Sequence, residues 1–124
     1  MVILDSSIII DALRKKKAAL DLIEAYAEKE QIAITVINKY EILRGAAEKD
    51  TELVSGLISQ FLIYELEDSM VNEAVNAHKK LVEKGKIVNE LDVLIAGIAT
   101  ANNETLITKD KDFLSFQSSK IIVR

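Results

Sequence analysis

The chain contains no cysteine and no proline, and only 4 glycines among 124 residues. Without cysteine there are no disulfides and no thiolates, which excludes cysteine catalysis and Cys-based zinc sites. Without proline, and with so little glycine, nothing reads as a linker, a repeat or a low-complexity segment. No apolar run approaches the roughly 18 residues of a membrane span, and the N-terminus lacks a basic stretch followed by an apolar one, so a cytoplasmic protein with no membrane contact is expected. The only histidine, His78, falls in the apolar stripe of a helical pattern and reads as a packed or half-buried residue rather than a ligand. No Ser-His-Asp arrangement can be built around it. The net charge of −4 and a pI near 5.1 do not supply the positive field of a non-specific nucleic-acid binder, so any nucleic-acid role must rest on a local site.

What is present is a hydrophobic content of 49 %, enough for one core, and one domain over residues 1–124 is expected. Residues 2–4 read as a strand, and the segment from Ile8 to Glu30 as one or two helices with a break near Lys16. IAIT at 32–35 is a second strand, followed by a helical stretch from Asn38 and another through TELVSGLISQF. FLIYEL at 61–66 reads as a third strand. The next helix carries Val71, Ala74, Val75, His78 and Val82 on one stripe and stops at Gly85. ELDVLIAGIATANN is apolar nearly all round and reads as a buried helix, before strand TLIT, a short KDFLSF turn or helix, and strand IIV. Strands separated by helical patterns imply an α/β fold with a mainly parallel sheet and helices on both faces.

The apolar run Val2-Ile3-Leu4 is followed at once by Asp5, a carboxylate with no loop residue to carry it into solvent. In open parallel sheets the ligand crevice lies beyond the carboxyl ends of the strands, where helix N-termini converge. On this reading Asp5, Glu41, Asp92, Asp110 and Asp112 all fall on that rim. Singly, each has an ordinary structural explanation. Asn38 with Glu41, and Asn89 with Asp92, have capping-box spacing, and Asp5 or Asp110 could be an N-cap favoured by the helix dipole.

Together they need another explanation, because converging carboxylates repel. Two unit charges about 4 Å apart cost on the order of 4 kcal/mol at an effective dielectric of about 20, more than the roughly 0.5–2 kcal/mol of a cap. Such a cluster is sensible when a hard cation neutralises it, and Mg²⁺ or Mn²⁺ prefers oxygen ligands of this kind. Divalent ions held there would activate a water and offset charge growing on a phosphodiester, with no protein nucleophile required.

VILDSSIIID at the start, TVINKYEILRGA after the second strand, ELDVLIAGIA in the buried helix and LITKDKDF near the end together resemble a PIN-domain ribonuclease of the VapC toxin type. The resemblance spans essentially the whole chain. It implies a PIN-like three-layer α/β/α sandwich and an endoribonuclease that uses Mg²⁺ or Mn²⁺ to cut single-stranded or loop RNA, commonly the toxin of a toxin–antitoxin pair. Carried over by position, Asp5, Glu41 and Asp92 are the first three family acids, while either Asp110 or Asp112 is the fourth. Ser6 and Thr108 occupy positions where such proteins carry a small hydroxyl residue near the site. The resemblance also implies a homodimer and a cognate antitoxin whose tail lies in a groove beside the active site.

Among the cations, Lys109 and Lys111 flank the acids on the rim and Arg44 follows Glu41 by one turn, so all three are candidates for an RNA phosphate contact. The runs Arg14–Lys17 and Lys79–Lys86 read as solvated helix faces, and the scattered aromatics as core. Two other readings compete. One is a catalytically weak PIN-like module that holds RNA or a protein without cutting. The other is a receiver-like phosphoryl-transfer protein, which lacks here a second acid beside Asp5 and a clear lysine at the end of a later strand.

Overall fold

Alternation along the short strands decides which side chains meet which layer of helices. In the computed structural model, which describes residues 1–124, strands β1 (Val2–Leu4), β2 (Ile32–Thr35), β3 (Leu62–Tyr64), β4 (Thr105–Thr108) and β5 (Ile121–Val123) form one parallel sheet. The order is β3-β2-β1-β4-β5, with Val2 opposite Ile32 and Thr105, and Leu4 opposite Ile107. Val2, Leu4, Ile32, Ile34 and Ile107 face one way, onto helices α1 (Ser6–Leu13), α2 (Lys17–Ala27), α3 (Val36–Gly45) and α4 (Thr51–Ile58). Ile3, Ala33 and Leu106 face the other way, onto α6 (Glu90–Ala101) and the 3₁₀ turn Lys111–Phe116, and α5 (Asp68–Glu83) packs outside α6. The result is the three-layer α/β/α sandwich with a parallel sheet.

The element pattern follows the sequence closely, with three corrections. The third strand is confined to Leu62–Tyr64 instead of 61–66, because only those residues pair with β2. The helix after β2 begins at Val36, not Asn38. Thr35 ends the strand and caps the helix with no loop between, and its capping box is closed by Asn38 rather than running from Asn38 to Glu41.

The third correction concerns α5. Its inward residues are Met70, Ala74 and Leu81, while Val71, Val75 and Val82 are exposed and His78 lies half-buried beside Glu90, at 3.4 Å. The stripe is rotated by about one residue because the helix seats on its smallest side chain. An added Cβ at Gly97 of α6 would lie 2.8 Å from the Cβ of Ala74 and 2.9 Å from its backbone nitrogen. Only backbone movement could relieve that overlap, so Gly97→Ala is expected to destabilise the fold by about 1–3 kcal/mol in urea unfolding.

No helix is long and apolar enough to cross a membrane. The break between α1 and α2 falls at Lys15, in the left-handed region at φ 60°, and α5 ends at Gly85, φ 70°. The strand order reverses between β1, which Asp5 follows directly, and β4, which ends in Thr108. That switch point opens the crevice at which the acids collect.

Candidate active site

Asp5 occupies the N-cap position of α1, yet its side chain caps nothing. Instead its carboxylate accepts hydrogen bonds from three side chains, two of them from distant segments: Thr108 Oγ1 at 2.8 Å and the nearby Ser7 Oγ at 2.9 Å on one oxygen, and Asn38 Nδ2 at 3.2 Å on the other. The capping explanation therefore fails for this acid. It is 5 % exposed, and three donors hold it in a fixed orientation at the switch point.

Asn38 is the hub of this arrangement. Its Oδ1 accepts from the backbone N–H and the hydroxyl of Thr35, and its Nδ2 donates to both Asp5 and Ser6 Oγ. Ser6 in turn donates to Glu41 Oε1 at 2.7 Å. One fully buried amide thus links the ends of β1 and β2 and the first turns of α1 and α3. Asn38→Ala strands the Thr35 N–H and one side of Asp5 in a buried setting, and a loss of about 2–3 kcal/mol is expected, measured by urea denaturation.

Glu41 projects from the second turn of α3. Burial pushes its carboxyl above the usual carboxylate range, the Ser6 hydrogen bond and Arg44 draw it back, and the charges of Asp5 and Asp110 add to the rise. Arg44 is exposed, with its guanidinium 5.2 Å from the centre of the Tyr40 ring.

Asp92 is the most perturbed of the acids. It sits in the first turn of α6, where Asn89 Oδ1 caps the N–H groups of Leu91 and Asp92. Its carboxyl is pushed up to about 7, first by burial and then by the charges of Asp5, Asp110, Glu41 and Asp112. The other four acids singled out in the sequence thus all act on Asp92 at this rim. Asp110 and Asp112 both come close: one carboxylate oxygen from each, and one from Asp92, lie within 4.8 Å of one another. Asp110 also keeps a structural task, since its Oδ1 caps the Asp112 N–H at 2.9 Å.

The site residues named from sequence do not all arrive. Ser6 and Thr108 do, through Glu41 and Asp5. Lys109 does not: its Nζ is bonded to Asp11, which also pairs with Lys16 at 3.4 Å, and Lys109 holds Asp11 below the usual carboxylate range. The ion pair draws that ammonium to the α1 side, away from the acids. Lys111 is exposed. Two residues of the network are absent from the site residues read from sequence: Ser7, and Asn38, which reads there only as a cap. Ser7 donates to Asp5 and accepts from the Lys109 N–H, tying α1 to the loop after β4. The signal for Asn38 was its place one turn before Glu41, on the same helix face.

The donor set suits a hard divalent cation. The close group is all oxygen and draws on two segments, the first turn of α6 and the loop after β4, and burial together with the neighbouring charges makes its most buried member, Asp92, a costly anion in the absence of a cation. Comparison with known proteins agrees with the geometry. The family model described as "PIN domain" matches residues 2–117. "Ribonuclease VapC1" of Methanocaldococcus jannaschii is 27 % identical over 111 residues, which cover 89 % of this chain and 76 % of that one. The structure of VapBC2 from Rickettsia felis, bound to a DNA fragment from its promoter, superposes with a TM-score of 0.83 at 25 % identity, covering 100 % of this chain and 98 % of the other. DNA-bound VapBC from Salmonella typhimurium gives 0.80 at 20 % identity, with the same coverage.

Proposed function

This chain belongs to the PIN domain family, and from that premise we propose that it is a metal-dependent endoribonuclease, the toxin of a toxin–antitoxin pair. The observation that carries the reading is Asp92, a buried carboxylate facing four others. A fold does not collect that much like charge at its switch point for stability. The ribonuclease activity named for the relative and a toxin–antitoxin complex from Klebsiella pneumoniae among the structural neighbours support the same reading.

Asp5, Glu41, Asp92 and Asp110 are the proposed catalytic carboxylates, with Asp112 beside them as an alternative or additional ligand. They would hold Mg²⁺ or Mn²⁺, which supplies a water of lowered pKa and positive charge opposite the phosphodiester oxygens. The protein's part is orientation. Thr108, Ser7 and Asn38 fix both oxygens of Asp5, and Ser6 fixes Glu41, so the ligands need little rearrangement on binding. Glu41, whose affinity for a proton is raised by burial, is the proposed acceptor of a proton from the attacking water. With Lys109 committed to Asp11, Arg44 and Lys111 remain, of the three cations that flank the acids in the chain, to meet RNA phosphates.

The partners proposed are an RNA substrate, a cognate antitoxin and a second copy of the chain. An apolar groove between α1, α3 and α4, lined by Ile10, Leu13, Arg14, Ile42 and Val54 among others, is the proposed antitoxin seat. The testing experiment is incubation of the protein with transfer, ribosomal and messenger RNA in Mg²⁺, in Mn²⁺ and in chelator. Cleavage that requires the ion supports the reading. RNA that is bound but never cut over long incubation with Mn²⁺ favours the non-cutting module instead.

A further inference from the structure

Lys86 and Lys111 carry no ion pair, in contrast to Lys16, Lys17 and Lys109. Lys86 borders a cavity of about 600 Å³ that lies directly against the acid cluster, since Asp92 and Asp112 form part of its wall. The remaining walls come from the end of α5, the loop Gly85–Asn89 and the Lys111–Phe116 turn. Its size falls within the roughly 300–1,000 Å³ of small-ligand pockets.

The chemistry of the walls is divided. Leu81, Val88 and Phe116 give an apolar side, and the Phe116 ring is backed by Phe113 with centroids 5.6 Å apart and planes 28° from parallel. On the polar side, Ser115 Oγ has no protein partner, and Asn89 has spent its Oδ1 on the α6 amides while its Nδ2 is unused. At the lip stands Ile87, 99 % exposed, a large aliphatic side chain that packing does not explain.

We infer that this cavity is a nucleobase subsite: it takes the base of the nucleotide next to the scissile phosphate of a single-stranded RNA, with Lys86 on the adjoining backbone phosphate. A flat apolar ring with polar edges fits a cavity whose lining combines apolar surface, an aromatic ring among it, with free hydrogen-bonding groups. A polyanion crossing a cluster of carboxylates needs cations at its flank, and Lys86 and Lys111 supply them. The inference deepens the nuclease reading and rests on it. It assigns selectivity for the flanking base to Ser115, Asn89 and the Gly85–Asn89 loop.

The test is fluorescence anisotropy with labelled oligo-A, oligo-C, oligo-G and oligo-U in Ca²⁺, comparing wild type with Lys86→Glu and Ser115→Trp. Lys86 lies on an exposed loop, so its variant keeps the comparison valid if the filled cavity disturbs folding. Binding is expected to weaken about tenfold or more in both variants, with one of the oligomers preferred by wild type. The melting shift produced by Mn²⁺ stays as in wild type. An abasic nucleotide at one position reproduces the loss in wild type and adds nothing in Ser115→Trp. Equal affinities for wild type and both variants overturn the inference. Cleavage followed in parallel separates it from the nuclease reading: binding that obeys these expectations without any cutting sinks the nuclease alone, whereas cutting with KM unchanged in both variants sinks the subsite alone.

Discussion

Asp5→Asn and Asp92→Asn each lower RNA cleavage by about a thousandfold or more and abolish most of the rise in melting temperature that Mn²⁺ gives the wild type. The two effects are expected together, because the same oxygens that would hold the ion are those that would orient the attacking water. In the metal-free state the two variants part company. Asp92 accepts no side-chain hydrogen bond and faces four other carboxylates, so its neutralisation removes repulsion and little else. Asp5 is held by three donors, and an amide there leaves the Nδ2 of Asn38 facing another donor or an oxygen it must share. Asp92→Asn is therefore more stable than wild type without metal, and Asp5→Asn is not. Single-turnover cleavage assays and thermal melts with and without Mn²⁺ measure both. Cleavage retained by either variant would defeat the account.

The second large effect is on stability against pH. The Asp92 carboxyl has an ordinary value of 3.8 and a folded value of about 7, so between those values the folded chain holds a proton that the unfolded chain has released. Its contribution to stability is fully present below 3.8 and is lost as pH rises through about 7. Asp92→Asn cannot titrate. Without metal, the stability advantage of that variant is expected to grow from near nothing at low pH to about 1–2 kcal/mol above neutrality, discounted from the unscreened Coulomb cost because the rim meets water. At saturating Mn²⁺ the order reverses, with wild type the more stable, and the stabilisation by the ion grows with pH as the competing proton leaves. Urea denaturation across this pH range, with chelator and with Mn²⁺, reads the two slopes.

The sequence carried the fold because each strand is a short apolar run bounded by an amphipathic helix, and because Asp5 follows β1 without a loop. The rim position of all five acids came from that alternation alone. Side-chain direction was harder to read. Lys109 stands between Thr108 and Asp110 in the chain, yet its long stem lets the ammonium reach Asp11, and only the folded arrangement of α1 makes that acid available. Asn38 looked like a cap because its type and spacing allow one. Its use as a buried crosslink depends on Ser6 and Asp5 arriving from the far end of the chain. The stripe of α5 was displaced for a similar reason, since the contact between Ala74 and Gly97 sets the helix rotation and a count of apolar residues on one helix does not contain it.

The central claim is that Asp5, Glu41, Asp92, Asp110 and Asp112, remote in the chain, meet at one cation site. Anomalous diffraction from crystals soaked in Mn²⁺ tests it most directly. A dominant peak bounded by the carboxylates of Asp5, Asp92 and either Asp110 or Asp112, absent in Asp92→Asn crystals, is the predicted result. No peak at this rim under saturating Mn²⁺, or one of equal height in the variant, would contradict it.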